Sequence, residues 1–252
     1  MRAVILIGHG SLRAGSGAAM IRLAARVRAA GVAPVAAAAF LNYSRPTFSE
    51  ALARVAARGA DEAVVQPYFL VPGHYVRVSL PRLVMAGQQM HPQIRIRLAE
   101  PLGDHPALAE LVRKRAVAAD PTASALLLVA HGSPDPSANQ SVVAVAARVR
   151  ERGNYAAVEV CYLGLNQPLL GAAIDEAARS GMARIVVAPY FLQLGGHVAG
   201  DLPRAIESAR RRHPGVAIAL AEHLAYDPLL VPAIATRVRE ADQSASSISA
   251  PA

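Results

Sequence analysis

The chain has 252 residues, 53% of them apolar, a formal net charge of +8 and one cysteine. That is long enough for one large domain or two ordinary ones, and no apolar run approaches the roughly 18 residues of a membrane span. Cys161 alone excludes an internal disulfide and a cysteine-based zinc site. The positive charge is arginine, with Lys114 the only lysine. Arginines spread along the chain with few aromatics between them make no stacking platform for nucleic acid; they are either solvated surface or the complement of a multiply charged acidic ligand.

In chain order, the apolar run Ala3–Ile7 reads as a strand that stops at His9 without a small-residue cleavage site, so no signal peptide is expected and the protein is placed in the cytoplasm. Helical spacing of Ile21, Leu23, Ala24 and Val27 predicts a helix over Gly17–Ala30. Val35–Leu41 follows as a strand, then a helix over Thr47–Arg58 opened by Pro46 and stopped by Gly59. Ala63–Leu70 is a third strand, Val76–Met90 a helix, Ile94–Ala99 a fourth strand and Pro106–Ala118 a last helix.

The order then starts again. "LIGHGS" at Leu6–Ser11 returns as "LVAHGS" at Leu128–Ser133, placing His9 and His131 122 residues apart. "FLNYSRP" and "YLGLNQP", "VVQPYFL" and "VVAPYFL", and "SLPR" and "DLPR" keep the same offset. A match this long marks a duplicated domain, not a solenoid unit. The expected division is a first domain over 1–120, a second over 124–241 and a disordered tail over 242–252, "DQSASSISAPA". Alternating strands and helices predict an α/β fold: two tandem similar domains, each a four-stranded parallel sheet flanked by helices, with a ligand cleft between them.

Parallel sheets bind ligands beyond the carboxyl ends of their strands, where the strand order reverses. In a 2-1-3-4 order that point lies between strands one and three. His9 closes strand one, and "PYFLVPGH" carries strand three into a loop ending at His74. The second copy offers His131 and, in "PYFLQLGGH", His197, with one more residue between proline and histidine. Paired imidazoles at such an edge bind divalent metal or accept protons near neutral pH. No HExxH, P-loop, dinucleotide fingerprint or nucleophile elbow is present. Ser11 and Ser133 read as helix or loop caps and not as nucleophiles.

The ordered set "GHGS", "FLNYSRP", "PYFLVPGH", "LP" and "HP" resembles the sirohydrochlorin chelatases, the class II chelatase family that includes cobaltochelatases, in its tandem two-domain form. The resemblance implies a lyase that inserts Co2+, Fe2+ or, in some branches, Ni2+ into an acidic tetrapyrrole without ATP or an organic cofactor, in cobalamin or siroheme biosynthesis. It implies catalytic or metal-binding roles for His9 and His74, with His131 and His197 as a second or vestigial site. Arg13, Arg45 and Arg77 become candidates for the carboxylates around the tetrapyrrole rim, with Ser11 and Asn42 as further substrate contacts. The chain is expected to work as a monomer with an internal pseudo-dimer, without membrane or nucleic-acid partners. The family commonly carries a glutamate where this chain has Asn42 and Gly164. Glu100 and Glu222, which close strand four in the two copies, are candidates to replace it as metal ligands. The competing reading is a metal or tetrapyrrole carrier that has lost chelation along with that glutamate.

Overall fold

A computed structural model describes residues 1–10, 16–193 and 195–247. The first half runs β1 (Arg2–Gly8), α1 (Ser16–Ala29), β2 (Val35–Phe40), α2 (Phe48–Ala57), β3 (Glu62–Pro67), a π-helical turn (Tyr75–Ser79), α3 (Leu80–Met90), β4 (Arg95–Leu98) and α4 (Pro106–Ala119). The second runs β5 (Ala125–Ala130), α5 (Pro136–Arg152), β6 (Ala157–Tyr162), α6 (Leu170–Arg179), β7 (Arg184–Pro189), α7 (Gly196–Arg212), β8 (Ala217–Leu220) and α8 (Leu230–Ser247).

The strands form two four-stranded sheets, ordered β2-β1-β3-β4 and β6-β5-β7-β8, with every pairing parallel. The central strands are largely apolar because helices cover both faces; Ala3 to Ile7 are fully buried, and Gln66 of β3 is a buried polar exception. On one face of the first sheet Ile5, Ile7 and Val65 pack with Phe48, Leu52 and Leu80. The matching core of the second sheet joins Leu127, Val129, Cys161, Ile174, Val187 and Ile206. Burial pushes the Cys161 thiol up to about 12, so almost no thiolate exists at neutral pH. Iodoacetamide is therefore expected to label Cys161 only as fast as the protein unfolds; prompt labelling of the folded chain would contradict this.

The sequence repeats are not the compact units. One unit joins Met1–Gly103 to the chain from Tyr226 onward; the other is Asp104–Ala225. The last helix of each repeat thus leaves its own sheet: α4 packs on α5 and β7, and α8 on α1 and β3. The compact units therefore differ from the repeat division expected at 1–120 and 124–241. The physical reason is that duplicated sheets offer like apolar strips, so either can bury α4 through Leu108, Leu111 and Val112, or α8 through Ala233, Ile234 and Val238. In the first unit Tyr226 stacks on Tyr68 with centroids 5.3 Å apart and planes 6° from parallel. Arg26 also donates to the Tyr226 carbonyl at 3.1 Å.

Of residues 242–252, 242–247 continue α8 and 248–252 lie outside the described residues. Asp242 holds this end down, accepting from Arg2 of β1 at 2.7 Å and from Arg97 of β4 at 3.0 Å. Both arginines are mostly covered, so the contacts outweigh ordinary surface pairs. Asp242→Ala should cost about 1–2 kcal/mol in urea unfolding; an unchanged midpoint would mean α8 is held by its apolar face alone.

Candidate active site at the carboxyl edge of the first sheet

His9 stands where β2 and β3 diverge from β1. Pairing with β2 continues past the strand ends: Leu41 N–H donates to the Gly8 carbonyl and Asn42 N–H to the His9 carbonyl, both at 2.9 Å. On the other side Tyr68 N–H donates to the Ile7 carbonyl at 2.8 Å. The chain then turns at Gly10 with φ +86°. A Cβ at Gly10 would sit 1.8 Å from the Asn42 carbonyl oxygen, so the glycine after the histidine is what lets the two backbones meet. Gly132 repeats this with φ +89° and a would-be Cβ 2.6 Å from the Gly164 carbonyl.

The His9 ring is half-buried. Its Nδ1 lies 3.3 Å from the Gly10 carbonyl oxygen and its Nε2 lies 3.0 Å from the Tyr75 hydroxyl. A carbonyl only accepts, so this network assigns the proton to Nδ1 and leaves Nε2 accepting from Tyr75. Tyr75 meets the imidazole edge-on, with centroids 4.8 Å apart at 83°, and Phe69 backs Tyr75 at 6.2 Å. Tyr43 lies on another side, 5.9 Å away and tilted by 38°.

Tyr75 owes its place to a one-residue difference between the copies. Five residues separate His74 from Leu80, whereas four separate His197 from Leu202. The extra residue is wound into the π-helical turn, in which Leu80 N–H donates to the Tyr75 carbonyl five residues back. The second copy passes the same stretch as continuous α7. Single π-turns of this kind recur at functional sites. His74 is the residue just before the turn; it is exposed, and its ring centroid is 6.2 Å from that of Tyr75. Tyr75 therefore links the ends of β1 and β3 by touching both histidine rings.

The loop from β2 to α2 completes this edge. Its base is closed where Phe40 N–H donates to the Pro46 carbonyl at 2.9 Å and Phe40 bridges Thr47. A capping box between Thr47 and Glu50 then starts α2. Within the loop Ser44 N–H donates back to the Asn42 carbonyl at 2.6 Å around Tyr43, whose φ is +58°. That is a γ-turn of the strained, left-handed kind.

The other expected residues scatter. Asn42 is exposed and meets His9 through its backbone. Arg45 is 82% exposed and 3.3 Å from Glu50; Arg77 is exposed on the π-helical turn. Ser11 and Arg13 lie outside the described residues. Glu100 is exposed and has no side-chain partner among the described residues, whereas Glu222 is tied to Arg115 at 2.5 Å. His131 is exposed with no hydrogen-bond partner among the described residues, and His197 falls in the first turn of α7. Among the described residues no three His, Cys, Asp or Glu side chains gather closely enough to hold a metal ion. Sequence reasoning missed Tyr43 and Tyr75. The one-residue shift around His74 was the available signal for Tyr75.

Chemically, the edge offers an imidazole nitrogen lone pair capped by a neutral phenol, with a second imidazole just beyond that phenol. Such a nitrogen accepts a proton or a divalent cation once the phenol turns away.

A family model described as CbiX matches residues 3–119 and again 125–241. A sirohydrochlorin cobaltochelatase of Priestia megaterium is 23% identical over 246 residues, covering 95% of this chain and 80% of the relative. A sirohydrochlorin ferrochelatase of Bacillus subtilis is 26% identical over 241 residues, covering 95% and 91%. The solved structure of SirB from Bacillus subtilis with Fe3+ has the same fold, with a TM-score of 0.86 over 97% of each chain at 22% identity.

Proposed function

The chain belongs to the CbiX family, and on that premise we propose that it inserts a divalent metal, Co2+ or Fe2+, into sirohydrochlorin. Ni2+ is a third candidate, since imidazole sites accept several first-row ions. The observation that carries this reading is His9 at the switch point of the first sheet, its Nε2 capped by the Tyr75 hydroxyl. Metallation breaks two pyrrole N–H bonds and forms metal–nitrogen bonds. His9 and His74 are assigned to receive the metal ion and to pass pyrrole protons on to solvent. Exposed arginines such as Arg45 and Arg77 suit the rim carboxylates.

The first copy is the better candidate for the working site. It alone has tyrosines at 43 and 75, where the second copy has Leu165 and Val198. One observation favours a carrier instead: neither Asn42 nor Gly164 supplies a carboxylate beside its histidine. Anaerobic incubation with sirohydrochlorin and Co2+, followed by visible absorbance, separates the two. Metallation faster than the uncatalysed background is expected; tight binding without acceleration would establish the carrier.

A further inference from the structure

The loop between β2 and α2 has the same backbone in both copies but different chemistry. Tyr43 and Leu165 have φ values of +58° and +63°, each at the centre of a γ-turn closed by a 2.6 or 2.7 Å hydrogen bond. Each side chain is 66% exposed. A left-handed, non-glycine residue is strained, and an exposed aromatic ring adds unfavourable contact with water. Strain retained in both copies marks a loop built to push one side chain outward. In the first copy that side chain is a ring 5.9 Å from the His9 ring, and two residues on stands Arg45, 82% exposed. In the second copy the corresponding residues are Leu165 and Gln167, an aliphatic chain and an amide. The Arg45–Glu50 contact, at 3.3 Å and open to solvent, is weak enough to be exchanged for a ligand carboxylate.

We propose that this loop of the first copy is the tetrapyrrole-docking element, with Tyr43 stacking on the face of the macrocycle and Arg45 pairing with a rim carboxylate. The proposal rests on sirohydrochlorin being the substrate. A flat conjugated ring edged with carboxylates calls for both an aromatic face and a cation, and here the ring stands beside the histidine that would meet the metal, with the cation two residues further along the loop. The same logic assigns tetrapyrrole recognition to the first copy, because the second presents neither group.

The test exchanges residues between copies. Leu165 already occupies the Tyr43 backbone geometry, so Tyr43→Leu is expected to fold and melt like the parent. It should raise the Kd for metal-free sirohydrochlorin about tenfold and raise KM in parallel. The Kd for Co2+ without tetrapyrrole should stay unchanged and kcat should stay within about twofold. Tyr43→Phe should bind like the parent, since stacking needs the ring and not the hydroxyl. Arg45→Gln should weaken binding and reduce its salt dependence. The proposal is overturned if Tyr43→Leu leaves sirohydrochlorin affinity unchanged, or if Tyr43→Phe is as damaging as Tyr43→Leu. If the parent binds no sirohydrochlorin at all, the chelatase reading falls, and this inference with it.

Discussion

Gly10→Ala is expected to destabilise the protein by about 2–3 kcal/mol and to remove most of whatever activity the first copy has. Two costs add. Placing alanine at φ +86° costs roughly 1–2 kcal/mol by itself. The new Cβ would also stand 1.8 Å from the Asn42 carbonyl oxygen, a distance no rotamer can relieve because the Cβ is fixed by its own backbone and its neighbour is a backbone carbonyl. The loop must retreat and give up the Asn42-to-His9 hydrogen bond, worth about another 1 kcal/mol. Gly59→Ala isolates the first cost, since Gly59 has φ +80° and nothing within 4 Å of its would-be Cβ. It should lose only about 1–2 kcal/mol. Urea unfolding of the two variants, with m-values compared, measures the difference. Equal losses would show that the loop yields freely and that the close approach constrains nothing. A retreating loop also carries Tyr43 away from His9, so activity should fall further than stability predicts.

The parts of this fold legible in the sequence are those set by repeated, strong patterns. Continuous apolar runs such as Ala3–Ile7 belong to strands buried on both faces, and they form two parallel sheets in the expected 2-1-3-4 order. That order also puts His9 at the switch point. The exchange of α4 and α8 was not legible, because duplication gives both sheets similar surfaces and helix amphipathicity does not say which one is covered. The π-helical turn left only a one-residue slip around His74, visible as a change of spacing but silent about winding. Tyr43 was hidden for another reason. An aromatic residue in a polar loop reads as incidental until its positive φ and its position beside His9 are seen together. The two candidate carboxylates differ in their surroundings: Glu222 is engaged by Arg115, while Glu100 has no side-chain partner among the described residues. Glu222→Ala should therefore leave turnover unchanged.

The largest effect on turnover is expected from His9→Ala, a fall in kcat/KM of about a hundredfold or more, the usual scale for losing a positioned proton acceptor. His131→Ala should stay within about twofold of the parent. The contrast follows from the surroundings and not from the motif, which is the same in both copies. His9 is fixed by contacts at both ring nitrogens and flanked by two tyrosines; His131 is exposed and has no hydrogen-bond partner among the described residues. His9→Ala leaves the backbone rungs to Leu41 and Asn42 intact, so its thermal midpoint should move little and the loss can be assigned to chemistry. Measured by Co2+ insertion into sirohydrochlorin under anaerobic conditions, equal losses in the two single variants would mean that both copies contribute to turnover. Full activity in His9→Ala would remove the first sheet edge from the reaction. A loss confined to His9→Ala would show that duplication left two copies of the motif and one working site, with the flanking tyrosines marking which copy it is.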